Sequence, residues 1–442
     1  MSYEYSGKII SVEKALSLVK DGDHIVNGMA AAEAREFSMN LHRIIDRGVK
    51  DVTVSNCLPL AEAKYLSDPA CLGKININSW FYTPQLRRNQ AADAVSFIPN
   101  HLHAAGWKRR HHLKTNIFVC NATPPDKHGY MSVGLSATYE RAMRENADLV
   151  ILEINPNVPR TFGDVEVHVN DVDYLVETNY AIPEIPDAEP NETDWKIGKM
   201  VAAEICDGDC IQLGIGGMPN AIAKSLYEKK DLGVHTEMLT SEMSRLFRAG
   251  VITGRRKKLY PGKMACTFVF CTRETYDFVD DNPGVVVLNG GYVNDPYIIG
   301  QNDNQVSINA SLEVDITGQC ASESIGARQI SGTGGQTDTA VGAQNSRGGR
   351  SYICLYSTAT IKDRDGQPQR VSKIVPALNR GAIVSLSRND VDRVVTEYGI
   401  AELRGTNVRE RLQRLVSIAH PDFREDIMRQ AVDLGVIGKQ VF

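Results

Sequence analysis

The chain has 442 residues, 42% hydrophobic and 23% charged, with a formal net charge of −5. That length implies two or three domains, and the composition excludes a disordered, collagen-like or disulfide-scaffold chain. Acids and bases are interspersed, so the basic excess of a nucleic-acid binder is missing; Lys108-Arg109-Arg110 and Arg255-Arg256-Lys257-Lys258 read as solvated faces.

The first residues, MSYEYSGKIISVEKAL, carry charges where a secretory signal needs an apolar run. No stretch nears the ~20 apolar residues that span a bilayer. A soluble, cytoplasmic protein is expected. Asp21-Gly22-Asp23 is a turn into a short apolar strand that ends at Gly28. A helical pattern over Glu36–Arg47 and a strand over Asp51–Ser55 follow, which together make a βαβ unit. Further buried strands are predicted at Ile117–Cys120 and Leu149–Ile154, with a helix at Ala137–Asn146 between them.

Ala181–Trp195 holds three prolines and five acids without hydrophobic periodicity, and reads as an exposed linker. It separates an N-terminal domain, 1–180, from a C-terminal domain, 196–442. Beyond it the opening pattern returns. Asp207-Gly208-Asp209 leads through Cys210-Ile211-Gln212-Leu213 to Gly214, as Asp21-Gly22-Asp23 leads to Gly28. A helix is predicted over Asn220–Lys230 and a strand over Val234–Leu239. Strands are also predicted at Gly284–Leu288, Tyr352–Leu355 and Ala382–Leu386, and a helix at Val408–Ala419. A second echo pairs Asn170-Asp171-Val172-Asp173 with Asn389-Asp390-Val391-Asp392. Two echoes in the same order predict a duplication: two open α/β domains built on largely parallel sheets. Ligands bind such sheets at the carboxyl ends of their strands.

Nine cysteines, an odd number set mostly in apolar segments, indicate reduced thiols rather than a disulfide framework. Cys206 and Cys210 lack a second ligand pair, so no metal is expected. Three features could carry chemistry. Gly214-Ile215-Gly216-Gly217-Met218-Pro219 lacks the third glycine of a dinucleotide fingerprint and the Lys-Ser/Thr of a P-loop. It is either a tight βα turn or a source of backbone donors for an anion. Ser331-Gly332-Thr333-Gly334-Gly335 is either a surface loop or a place where backbone approaches a ligand. Glu237, in Val234-His235-Thr236-Glu237-Met238, belongs to a strand that should abut the one ending at Gly214. Taken alone it reads as an ordinary surface acid, with neighbouring Glu242 a rival, and His235 reads as structural.

The segments GIGGMPNAIAKSL, LGVHTEM, YVNDPYIIGQNDNQVSINASLEVDITGQ, SGTGGQTD, VVTEYGIAELRG and IAHPDFRE resemble the acetyl-CoA hydrolase/transferase family. Within it they are most similar to 4-hydroxybutyrate and butyryl-CoA:acetate CoA-transferases; PPDKHGYMSVGLS and INPNVPRTFGD agree. The resemblance implies coenzyme A, carried as acyl-CoA substrate, and a duplicated fold with the active site between the halves. It implies Glu237 as a nucleophile that forms a glutamyl-CoA thioester. It makes the amides of Ile215 and of Gly334 or Gly335 candidate oxyanion donors. Gly214, Gly216, Gly217 and Gly332 become candidate CoA-binding positions, and so does Arg350, which stands where relatives carry lysine. Met29 and Gln85 are expected to face the acyl pocket. After HTEM the chain has Ser241 where relatives have aspartate, and Arg245 and Arg248 add positive charge. That opens a dicarboxylate reading, itaconate or succinate, beside a short-chain monocarboxylate. The same motifs are compatible with an acyl-CoA hydrolase and with a non-catalytic CoA-ester binding protein. Relatives of this type suggest a homodimer or homotetramer.

Overall fold

The computed structural model describes residues 5–90, 94–363 and 365–438, so the predicted domains run slightly past the described residues at both ends. In the first half, seven strands form one sheet: β1 (His24–Asn27), β2 (Val52–Asn56), β3 (Ile75–Ser79), β4 (Val95–Phe97), β5 (Thr115–Ala122), β6 (Ala147–Ile154) and β7 (Tyr174–Glu177). Their order is β4-β3-β2-β1-β5-β6-β7, with every pairing parallel.

The second half repeats this plan. Among its strands are β8 (Cys210–Leu213), β9 (Gly233–Val234), β10 (Met264–Cys266), β11 (Val285–Val287), β12 (Gln305–Ala310), β13 (Arg350–Cys354), β14 (Arg393–Thr396) and β15 (Gly399–Glu402). Six of them run β9-β8-β12-β13-β14-β15, parallel except for the last pair. A single parallel bridge from His235 to Ala265 continues the row to β10, which pairs with β11. Read from β11 to β14, the order matches β4 to β7 of the first sheet strand for strand. The duplicated α/β expectation holds, and both echoes fall on equivalent strands: β1 with β8, β7 with β14.

The core explains how the halves join. Ile25 and Val26, adjacent on β1, belong to different apolar clusters because successive side chains leave opposite faces of a strand. One face of the first sheet is filled by Phe37, Leu41 and Tyr65. The other belongs to a cluster continuous with Ile211, Phe268 and Tyr276 of the second half. A third cluster, with Leu412 and Leu415 of the helix Val408–Ile418, covers the outer face of the second sheet. Backbone crosses the junction as well: Ala137 N–H donates to Thr267 O, and Gly163 bridges to Val287.

Four expectations change in detail. Residues 181–190 have no regular structure but are not a free linker. Ile182 is buried, Ile185 N–H donates to Cys271 O, Tyr276 Oη donates to Pro183 O, and Asn220 Nδ2 donates to Ala188 O. From Glu192 the stretch is already helix (Glu192–Glu204), capped by Asn191. The helix expected over Glu36–Arg47 is one α turn and a half (Arg35–Asn40) followed by 3-10 geometry (Leu41–Arg47). Ala382–Leu386 is not a strand: only Leu386 is bridged and buried, while Ile383 and Val384 are half exposed. A short apolar run cannot distinguish the two outcomes. The strand expected over Val234–Leu239 breaks at Glu237. Because β8 ends at Leu213, residues beyond His235 find partners only on the other side, at Ala265 and in the pairing of Met238–Leu239 with Phe268–Val269.

Candidate active site

Glu237 sits at that change of partner. Its carbonyl accepts N–H bonds from both Thr267 and Phe268 (2.9 and 3.2 Å), so its backbone is fixed between two ladders. Its side chain is partly buried and meets the Ser331–Gly335 loop. Asn294, wholly buried at the end of the short helix Gly290–Val293, donates from Nδ2 to Glu237 Oε2 at 2.8 Å. The Gly335 backbone lies against the same oxygen: a methyl added there would collide with both Oε2 and Asn294 Nδ2. Gly334 faces Oε1 and needs its left-handed φ of +55°. Burial pushes the Glu237 carboxyl up to about 7, Asn294 and the Gly335 amide pull it down, and the nearby Asp338 carboxylate pushes it up.

The loop is held from the far side by the first half. Tyr82 N–H donates to Ser331 O, Leu102 N–H to Gly334 O, and Arg87 Nη1 to Ile330 O. Gly332 lies against Trp80 O and the Phe81 ring with no room for a side chain. Cys57, at the end of β2, feels the charges of both Glu237 and Glu140, and burial keeps its thiol protonated. Of the expected residues, Glu237, Gly332, Gly334 and Gly335 thus come together at the seam. Met29 is buried in the adjoining cluster, and its amide donates to Glu140. Gln85 lies on the helix Pro84–Asn89, whose Arg87 touches the loop, and no hydrogen bond joins it to Glu237.

The other glycine turn stands apart. Gly216 has φ +115° and Gly217 abuts Asp194, as a tight βα turn requires. Ile215, half exposed, lines a cavity of about 280 Å³ with Thr240, Ser241 and Cys271, on the stretch that follows Glu237. Its amide has no bond to Glu237. Arg350 is at the amino end of β13, where its guanidinium pairs with Asp209 and donates to Glu204 O. That is the end of the sheet away from Glu237, so Arg350 holds the fold together rather than a ligand beside Glu237. Arg245 is occupied by Glu242, Asp187 and Glu274, and Arg248 by Glu274. His235 is neutral, pushed down to about 4 by burial, and bonds Val293 O through Nε2, which seats the helix that presents Asn294. Sequence reasoning missed Asn294, Asp338, His103 and the Trp80–Tyr82 clamp. Asn294 and Asp338 lie inside family-like motifs, but nothing in their spacing marks their partner. Among the described residues no group of three or more His, Cys, Asp or Glu could hold a metal ion. No helix among them is long and apolar enough to cross a membrane.

Fold and site together define an α/β enzyme with a carboxylate held at the seam of two duplicated halves. The chain belongs to the acetyl-CoA hydrolase/transferase family. Its N-terminal domain model matches residues 1–186 and its C-terminal domain model residues 271–431. The chain is 37% identical to a 4-hydroxybutyrate coenzyme A transferase of Clostridium kluyveri over 427 residues, covering 96% of this chain and 97% of that one. It is 36% identical to a succinyl-CoA:cyclohexane-1-carboxylate CoA transferase of Geobacter metallireducens over 432 residues, covering 97% and 96%. The crystal structure of RipA from Yersinia pestis superposes with a TM-score of 0.90 at 33% identity, covering 98% of this chain and 99% of that one.

Proposed function

We propose that this protein moves CoA between a short-chain acyl-CoA, of acetyl, butyryl or 4-hydroxybutyryl type, and a free carboxylic acid, with Glu237 as nucleophile. The observation that carries the reading is one carboxylate oxygen tethered by Asn294 and Gly335 while the other faces Gly334. Glu237 attacks the acyl carbonyl, the C–S bond breaks, and CoA leaves as thiolate with an acyl-glutamyl anhydride behind it. The thiolate attacks the glutamyl carbonyl and expels the first acid, which leaves a glutamyl-CoA thioester. A second carboxylate then reverses both steps. When the glutamyl carbonyl becomes tetrahedral, the donors already on it stabilise the oxyanion; one such donor is typically worth ~3–4 kcal/mol. The first half's Trp80–Tyr82 and Leu102 close over the loop, which limits the water that would hydrolyse the anhydride.

The dicarboxylate reading depends on Arg245 and Arg248. With both paired to protein carboxylates, the monocarboxylate reading is the stronger. The test is acyl-CoA consumption with and without acceptor acids (acetate, butyrate, 4-hydroxybutyrate, succinate, itaconate), followed by borohydride reduction and peptide mass spectrometry. Acceptor-dependent turnover with a reduced residue at 237 is expected. Consumption indifferent to acceptor indicates a hydrolase, and no consumption of any acyl-CoA indicates a binding protein.

A further inference from the structure

The Glu237 site has a neighbour that ties it to the other half of the molecule. Asp338 lies in the first turn of the helix Gln336–Asn345, which starts from the loop touching Glu237, and its side chain is only 1% exposed. A second buried carboxylate there disfavours ionisation of the nucleophile. Its partner comes from the first half. His103 Nδ1 stands 2.7 Å from Asp338 Oδ1, and the His103 backbone N–H donates to Asp338 Oδ2 at 3.1 Å. The residue before it, Leu102, pins the Gly334 carbonyl. One short segment therefore grips both the glycine loop and the carboxylate behind it.

We propose that His103 is a positioning residue for Glu237: as a cation paired with Asp338 it cancels the charge behind the nucleophile and locks the two halves over it. The proposal rests on the reading of Glu237 as nucleophile. The charged and titratable groups around the pair are few. Asp338 and Asp295 favour the cation on His103, Lys108 opposes it, and the His101 ring stacks on it at 6.1 Å. Around Glu237 stand Asp338, the protonated thiol of Cys57 and, two residues back, neutral His235. His103 is thereby raised above its ordinary value, chiefly by the bond to Asp338.

The experiment follows the Glu237 midpoint in wild type, His103→Gln, His103→Lys, Asp338→Asn and the double variant His103→Gln/Asp338→Asn. Two readouts are used: kcat/KM against pH, and an infrared titration of the protonated carboxyl band assigned by its loss in Glu237→Gln. His103→Gln should raise the midpoint by about one pH unit, as loss of one neighbouring charge does. His103→Lys should restore it, Asp338→Asn should lower it, and the double variant should match Asp338→Asn. A midpoint unmoved in His103→Gln, or shifts that add in the double variant, overturns the proposal. A merely structural role would lower kcat in every variant without moving the midpoint, and the Lys variant separates loss of charge from loss of fold. The infrared arm needs no turnover, so failure of the transferase reading appears separately, as wild-type protein inactive on every acyl-CoA with a normal carboxyl titration.

Discussion

Two carboxylates, one in each half, are pushed up to about 7 by burial: Glu153 near the carboxyl end of β6 and Glu237 beyond the end of β9. Their surroundings differ in one respect that matters. Glu153 is wholly buried, and both its oxygens are taken, by Phe37 N–H (2.6 Å), Glu36 N–H (3.2 Å) and Tyr180 Oη (2.8 Å). It caps the helix Arg35–Asn40 and has no path to a substrate. Glu237 is partly open, has one side-chain donor on one oxygen, and faces a glycine with the other. A perturbed carboxyl is therefore not by itself a sign of chemistry. The same topology, used twice, spends a buried acid on structure in one half and leaves it partly open at the seam in the other.

The widest separation between the two should appear in turnover. Glu237→Gln removes the carboxylate proposed as nucleophile and should cut kcat by at least ~10³-fold, whereas Glu153→Gln should stay within about tenfold because its oxygens are all taken by the fold. Steady-state rates with one acyl-CoA and one acceptor decide this; comparable losses in both variants would mean that Glu237 acts only through the fold. Next in size is Gly335→Ala. Its methyl would meet Glu237 Oε2 and Asn294 Nδ2, and the displaced carboxylate should cost about 10²-fold in kcat while far-UV circular dichroism is unchanged. If the variant keeps full activity, the tether on Oε2 is not part of the mechanism.

How much of this contrast the chain announces differs between its parts. The duplication was legible because a turn, an apolar strand and a terminal glycine are local, and Asp21–Gly28 and Asp207–Gly214 carry the same pattern. Glu237 was legible through the HTEM motif, but its setting was not: it meets the Ser331–Gly335 loop and Asn294 rather than the Gly214 turn. The strand changes partner there because β8 has ended, which is a fact about a different segment. Asn294, Asp338 and His103 were invisible for a related reason. Each acts across a separation of dozens to hundreds of residues, and an amide or a histidine has no periodic signature. Similarity to a family position says nothing of which end of a strand a residue occupies: Arg350 stands at the amino end of β13, paired with Asp209.

Smaller effects sharpen the contrast through stability. Glu153→Gln exchanges an acceptor oxygen for an NH2 that faces a backbone donor, and should destabilise the fold by ~1–3 kcal/mol. Chemical denaturation measures it; a neutral result would show that the Glu36 and Phe37 amides find other partners.

Glu237→Gln should do the reverse, and the pH dependence fixes the sign. The folded carboxyl holds its proton up to about 7, the unfolded one only to the ordinary glutamate value of 4.5. Between those values the native state binds more protons than the unfolded state, so wild-type stability falls as pH rises. Above about 7 the ionised Glu237 carries the whole burial penalty, of order 1–3 kcal/mol once the partial exposure is allowed for. Glutamine has no charge to desolvate. The variant should therefore exceed wild type in stability at pH 8 and gain little at pH 5, while kcat/KM of the wild type climbs through the same interval as the nucleophile ionises. Denaturation midpoints at the two pH values test the pair of claims together. A stability gain equal at both would assign the effect to packing rather than charge, and would remove the argument that this half of the molecule gives up stability to keep its carboxylate reactive.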